Sequence, residues 1–156
     1  SLMAEQAVVE LQANQPDAAL PFLKRGFELD ERNTQVRTLY AATLMQTGKI
    51  DEAKQLIGDE YMEEYALNDY ALSITEATGD YEYLAKLFEL RIEKQPGNAQ
   101  HRASMAFIQY ELGDTDAAIE VLKEGAETIP DFAPRAKCYI SNLETGNEPG
   151  EGCDGL

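Results

Sequence analysis

Apolar residues return at helical spacing along nearly the whole chain. Tyr40 and Leu44 lead into Ile50, Ala53 and Ile57, and Met105, Ile108 and Leu112 lead into Ala118, Ile119 and Leu122. A period near 3.6 rather than 2 predicts amphipathic helices. The runs are parted by short polar turns such as Gly113-Asp114-Thr115-Asp116. There the glycine takes the left-handed position that ends one helix, and Asp or Thr caps the next. Each run, turn and run is therefore a pair of antiparallel helices.

The pair recurs. MQTGKIDEAKQLI (45–57), EATGDYEYLAKLF (76–88) and QYELGDTDAAIEVL (109–122) share one template, and QANQPDAALPFL (12–23) fits it with Asn14 in the glycine position. Asn14 to Gly48, Gly79 to Gly113 and Pro96 to Pro130 are each 34 residues, whereas Gly48 to Gly79 is 31. The three-residue loss is expected between Ile57 and Asn68, where it would shorten a helix by about one turn or tighten the connection. A fixed period of this size means stacked supersecondary units, so function is sought on the surface of the stack.

Ala7, Ala41 and Ala106 each precede Ala19, Ala53 and Ala118 by 12 residues, small side chains where two helices cross closely. The third unit has Leu72 and Leu84 there, which predicts a wider or shifted pair. Pro96 and Pro130 stop second helices, and Pro21, a turn inside its helix, predicts a mild kink. After Pro130, a capping helix over about 133–145 presents Ala136, Tyr139, Ile140 and Leu143 on one face. The Gly-rich acidic tail 146–156 is expected to be flexible.

With these features the chain resembles the tetratricopeptide repeat (TPR) family. Ala106, Ala118 and Pro130 match that family's two small positions and its late proline in the fourth unit. The resemblance covers units near 1–33, 34–64, 65–98 and 99–132. It implies an all-α, right-handed helical-hairpin solenoid of four TPR-like repeats plus a C-terminal capping helix, one domain over 1–145. Departures are that Arg37, Asn68 and Arg102 stand where the family has a first-helix tryptophan, and that Gly26 and Gly125 replace an alanine late in their second helices.

The resemblance also implies a concave groove lined by first helices, binding a peptide or helix without catalysis. Its residues here would be Gln35, Thr38, Leu39, Ala42 and Met45, then Asp69, Tyr70 and Ser73, then Gln100, Ala103, Ser104, Phe107, Tyr110 and Glu111. Tyr70, Phe107 and Tyr110 are the expected anchors. Ala4, Val8, Leu39, Ala66 and Tyr70 occupy the places of the clamp that binds acidic chaperone tails in one subset, so that activity is not implied. An alternative is an auxiliary or oligomerising TPR domain of a larger bacterial membrane protein or enzyme; self-association is a third reading.

Charge narrows the partner. The chain has 29 acidic against 13 basic residues, a formal charge of −16. That disfavours nucleic acid and anionic membranes, whose phosphates are bound by Lys and Arg. Asp69 and Glu111 favour basic residues in a protein partner. No run approaches the roughly 18 apolar residues that span a bilayer, so direct membrane insertion is not expected and a cytoplasmic location is, with the compartment left open if the chain is a fragment of a membrane or exported protein. Ser1-Leu2 ahead of Met3 reads as a cloning remnant, with the expectation of a segment cut from something longer.

Chemistry-bearing motifs are sparse. Gly150-Glu151-Gly152-Cys153-Asp154-Gly155 is a literal GxGxxG, but without the strand before and helix after that a pyrophosphate site needs. His101 is the only histidine, and the cysteines lack CxxC spacing, so neither metal nor cofactor is expected. Cys138 and Cys153 are too few for a disulfide framework. Free thiols in a reducing compartment are the expectation, a tail-to-helix disulfide the alternative.

Overall fold

The computed structural model of the chain describes residues 2–156; Ser1 lies outside the described residues. The fold is all-α, of the helical-solenoid class, with no strand among the described residues. None of their helices is long and apolar enough to cross a membrane. The chain divides into two compact units, one ending at Asp80 and one running from Tyr81 to Leu156. The boundary falls inside the third repeat.

The first unit holds α1 (Leu2–Gln12), α2 (Pro16–Leu29), α3 (Thr34–Gln46), α4 (Ile50–Ile57), α5 (Met62–Leu67) and α6 (Asp69–Thr78). Ala7 of α1 and Ala19 and Leu23 of α2 are fully buried together, the close crossing that the alanine spacing predicts. Here α2 packs on α3, and α3 on α4 and α6. The helix α2 runs on through Pro21, which is exposed.

The second unit holds α7 (Tyr81–Lys94), α8 (Ala99–Glu111), α9 (Thr115–Thr128), a 3-10 turn (Pro130–Phe132) and α10 (Ala133–Glu144). Its core joins Ala103, Ala106, Ala118, Leu122, Phe132, Ala136 and Leu143. Tyr139 and Ile140 lean on the same cluster, so α10 covers the fourth repeat with the expected face. Burying a side chain such as Leu122 is worth about 1.5–3 kcal/mol.

Turn chemistry follows the sequence. Gly48, Gly79 and Gly113 have φ of 85°, 72° and 80°, and Asn14 is the one non-glycine with positive φ among the described residues, at 57°. Asp114 accepts the Ala117 amide at 3.0 Å. First helices have their own caps. The side-chain oxygens of Asn33, Asn68 and Asn98 accept from Val36, Ala71 and Gln100 at 3.1, 2.9 and 3.0 Å.

These caps relocate the missing residues. Asn33 to Gly48 and Asn98 to Gly113 are each 15 residues, but Asn68 to Gly79 is 11. The loss lies in α6, 10 residues long against 13 for α3 and α8, and not between Ile57 and Asn68. A helix is shortened by about one turn, as expected, but a different one. It also moves Asn68 from the tryptophan position to a cap. Over the preceding stretch the second helix is broken instead: α4 has 8 residues where α2, α7 and α9 have 14, and α5 follows after Gly58.

The tail is a second correction. Cys138 and Cys153 form a disulfide with Cα atoms 6.0 Å apart, leaving no free cysteine. The expected flexible segment folds back as a series of turns with Pro149 and Cys153 buried. The repeat template does not extend past Pro130, so it carries no information about this pairing.

Candidate functional site

Arg37 and Arg102 fill the slots where the family has tryptophan. The Arg37 guanidinium lies 3.9 Å from the Tyr61 ring centroid and 4.8 Å from that of Phe27. It donates to Leu56 O at 3.0 Å and Glu31 O at 2.7 Å. In a continuous helix Leu56 O would accept an amide one turn on; because α4 ends at Ile57 the carbonyl is left over, and Arg37 satisfies it. In the fourth repeat Arg102 is buried and pairs with Glu124 at 3.3 Å.

On the first-helix faces of the first unit, Gln35 is exposed and Leu39 is half-buried against the Ala7–Ala19–Leu23 cluster. Thr38 and Met45, expected in the groove, are only 7% and 3% exposed, and Ala42 is fully buried. The cause is α5. Its Tyr65, fully buried, brings its hydroxyl to 2.8 Å from Thr75 Oγ1 and 3.4 Å from Met45 Sδ. Thr75 donates to Ala71 O at 2.8 Å, which leaves its lone pair for the tyrosine hydroxyl. Burial pushes the Tyr65 phenol up to about 12. Asp69, the first residue of α6, is exposed, Tyr70 is 42% exposed, and Ser73 donates to Tyr70 O at 2.7 Å.

In the second unit Ala103 is core, Gln100 exposed and Ser104 half-buried. Phe107 is 42% exposed and meets Tyr81 edge-on, ring centroids 6.4 Å apart. Tyr110 is half-buried against the core cluster, and Glu111 ends α8 in the open. Helix α8 has no basic residue in its last turn, so Glu111 sits uncompensated at the negative end of the helix dipole.

Sequence reasoning missed Tyr81, whose pairing with Phe107 is not a matter of repeat period. It also missed a cleft of about 580 Å³ in the first unit, lined by Met45, Gln46, Gly48, Ile50, Ile74, Ala77, Thr78 and Asp80. The apolar residues Ile50 and Ile74 beside a turn glycine were its only signal. His101 is buried, its Nε2 2.6 Å from Gln95 Oε1 and its ring edge-on to Phe88. Among the described residues no group of three or more His, Cys, Asp or Glu is placed to hold a metal ion.

Paired helices, left-handed turns and a capping helix are the architecture of a helical-hairpin solenoid of the kind that tetratricopeptide repeats form. Residues 10–59 match the family model described as tetratricopeptide repeat. Among solved structures the chain is similar to "MamA D159K mutant 1", with 18% identity and a TM-score of 0.56, covering 93% of this chain and 87% of that one. It is likewise similar to "MamA MSR-1 C2", with 18% identity and a TM-score of 0.56, covering 97% and 90%. At this identity the likeness speaks for the fold. No curated protein matches the sequence.

Proposed function

We propose that the chain is a non-catalytic protein-interaction module that holds a peptide or helix of another protein on the exposed faces of its first helices. The observation that carries this reading is the exposure of aromatic rings on otherwise well-packed helices: Tyr70 of α6 and Phe107 of α8, the latter braced by Tyr81. Rigid, half-exposed aromatic rings are the usual centres of binding energy at protein interfaces. Gln35, Leu39, Asp69, Tyr110 and Glu111 complete the two surfaces. Thr38 and Met45 are left out of them and serve packing.

The partner chemistry follows from charge. Glu111 at the negative end of α8 and Asp69 in the first turn of α6 are both exposed, in a chain of formal charge −16. A Lys or Arg of the partner beside Glu111 would relieve its conflict with the helix dipole, while the same field repels nucleic acid.

The test is partner capture with Tyr70→Ala and Phe107→Ala, singly and together, with circular dichroism as the folding control. Each single variant is expected to weaken capture about tenfold or more, with helicity kept. Undiminished capture by the folded double variant overturns the proposal.

A further inference from the structure

Neither the repeats nor the proposed partner surfaces account for residues 146–153. They contain no helix, yet they are held at several points against α10. The Cys138–Cys153 disulfide is one. The Asn142 side-chain amide is another, donating to Pro149 O and to Glu151 O, both at 2.8 Å. A third is the Asn147 amide, which donates to Asn142 O at 2.8 Å. Gly150 lies over the Tyr139 ring, so that a Cβ there would come 4.0 Å from its Cε1 and hydroxyl. Cys138 and Asn142 are one turn apart on one side of α10, while Ala136 and Leu143 go into the core on the other.

We propose that this loop is a thiol-released strap: closed on α10 while Cys138 and Cys153 are joined, and freed when a dithiol reductant breaks the bond. The loop includes three glycines, Gly146, Gly150 and Gly152, residues that lose the most backbone freedom on ordering. Against that stand the Asn142 contacts and a few turn hydrogen bonds, each of small net worth. The cross-link tips the balance by removing freedom from the open state. Both cysteines of the chain are in this one bond, so no third thiol can reshuffle it.

The step is a two-electron thiol–disulfide exchange. A thiolate of the dithiol attacks Cys138 Sγ, on the less buried of the two cysteines, and the Sγ–Sγ bond breaks with Cys153 leaving as thiolate. The reductant's second thiolate then displaces Cys138 and closes the reductant's own disulfide. The dithiol's two protons end on the two cysteines. Release uncovers the Tyr139 and Asn142 side of α10. Such a bond persists in oxidising surroundings and is rare in the cytosol, which weighs against the cytoplasmic location expected from the sequence.

Hydrogen exchange read by mass spectrometry on the oxidised chain, the dithiothreitol-reduced chain and the Cys138→Ser/Cys153→Ser variant tests this. On reduction, and in the variant, the hydrogen-bonded amides of Asn147, Glu151 and Cys153 are expected to lose at least about tenfold in protection while α8 and α9 keep theirs. Reoxidation is expected to restore it. Unchanged loop protection after full reduction overturns the proposal, as does alkylation of both cysteines in the folded, unreduced chain. Loss of α8 and α9 along with the loop also overturns it, because the bond would then be a staple of the whole unit.

Discussion

Arg37 and Tyr61 are stacked, with the guanidinium carbon 3.9 Å from the ring centroid, and this contact closes the gap left where the second helix of the second repeat breaks at Gly58. The family's tryptophan fills the same slot with bulk. An arginine does more here, because the broken helix leaves Leu56 O without an amide and a guanidinium can both stack and donate.

Arg37→Ala is therefore expected to destabilise the first unit by about 2–3 kcal/mol, from lost stacking and from hydrogen bonds made by a charged donor. Arg37→Lys should recover less than half of this, since an ammonium cannot reproduce the fork. Urea midpoints of the three proteins give the comparison. A wild-type midpoint for Arg37→Ala would show that the slot is filled without energetic consequence.

Tyr65 ties stability to alkaline pH. Burial raises its pKa from 10.0 to about 12, so the folded state holds the phenolic proton where the unfolded chain has released it. Stability from this group is complete below pH 10 and is lost as pH rises towards 12. Burial also raises Tyr70, and burial together with Glu52 and Glu28 raises Tyr40, so all three act in one direction. Tyr65→Phe should cost about 1 kcal/mol at neutral pH, because Thr75 keeps its bond to Ala71 O. It should also flatten the alkaline loss measured by denaturant unfolding between pH 9 and 12; an equally steep loss would place the titration elsewhere.

Two glycines at equivalent places should respond oppositely to alanine. At Gly125 a Cβ would stand 3.1 Å from Phe132 Cε2 and Arg102 Cγ, both on buried side chains, so Gly125→Ala is expected to destabilise by about 1–2 kcal/mol. At Gly26 the nearest atoms, Met3 Cβ and Val36 Cγ1, are 3.4 Å away. There the helix preference of alanine should prevail, raising stability by up to about 1 kcal/mol. Thermal midpoints of both variants decide it, and a shift in the same direction for both would refute the packing argument.

Local rules were readable directly. The left-handed turns at Gly48, Gly79 and Gly113, and the substitution of Asn14 for a fourth glycine, depend on backbone sterics within one or two residues. The capping face of α10 follows from helical period alone. Of the candidate surface, exposed Tyr70 and Phe107 were named from the chain, but Thr38 and Met45 are buried, and Met45 is covered by Tyr65 of α5, which the repeat period does not place.

By itself, then, the order of residues determined the helices, their pairing, the repeat and the acidic surface, all consequences of short-range sterics, periodicity and charge count. Only the tertiary structure decided which helix gave up a turn, what Arg37 satisfies, where Tyr65 is buried, and that Cys138 meets Cys153. Each of these joins residues that no local preference brings together. They depend on which carbonyl, cavity or sulfur is left over once the helices have packed, and a repeat template averages that information away.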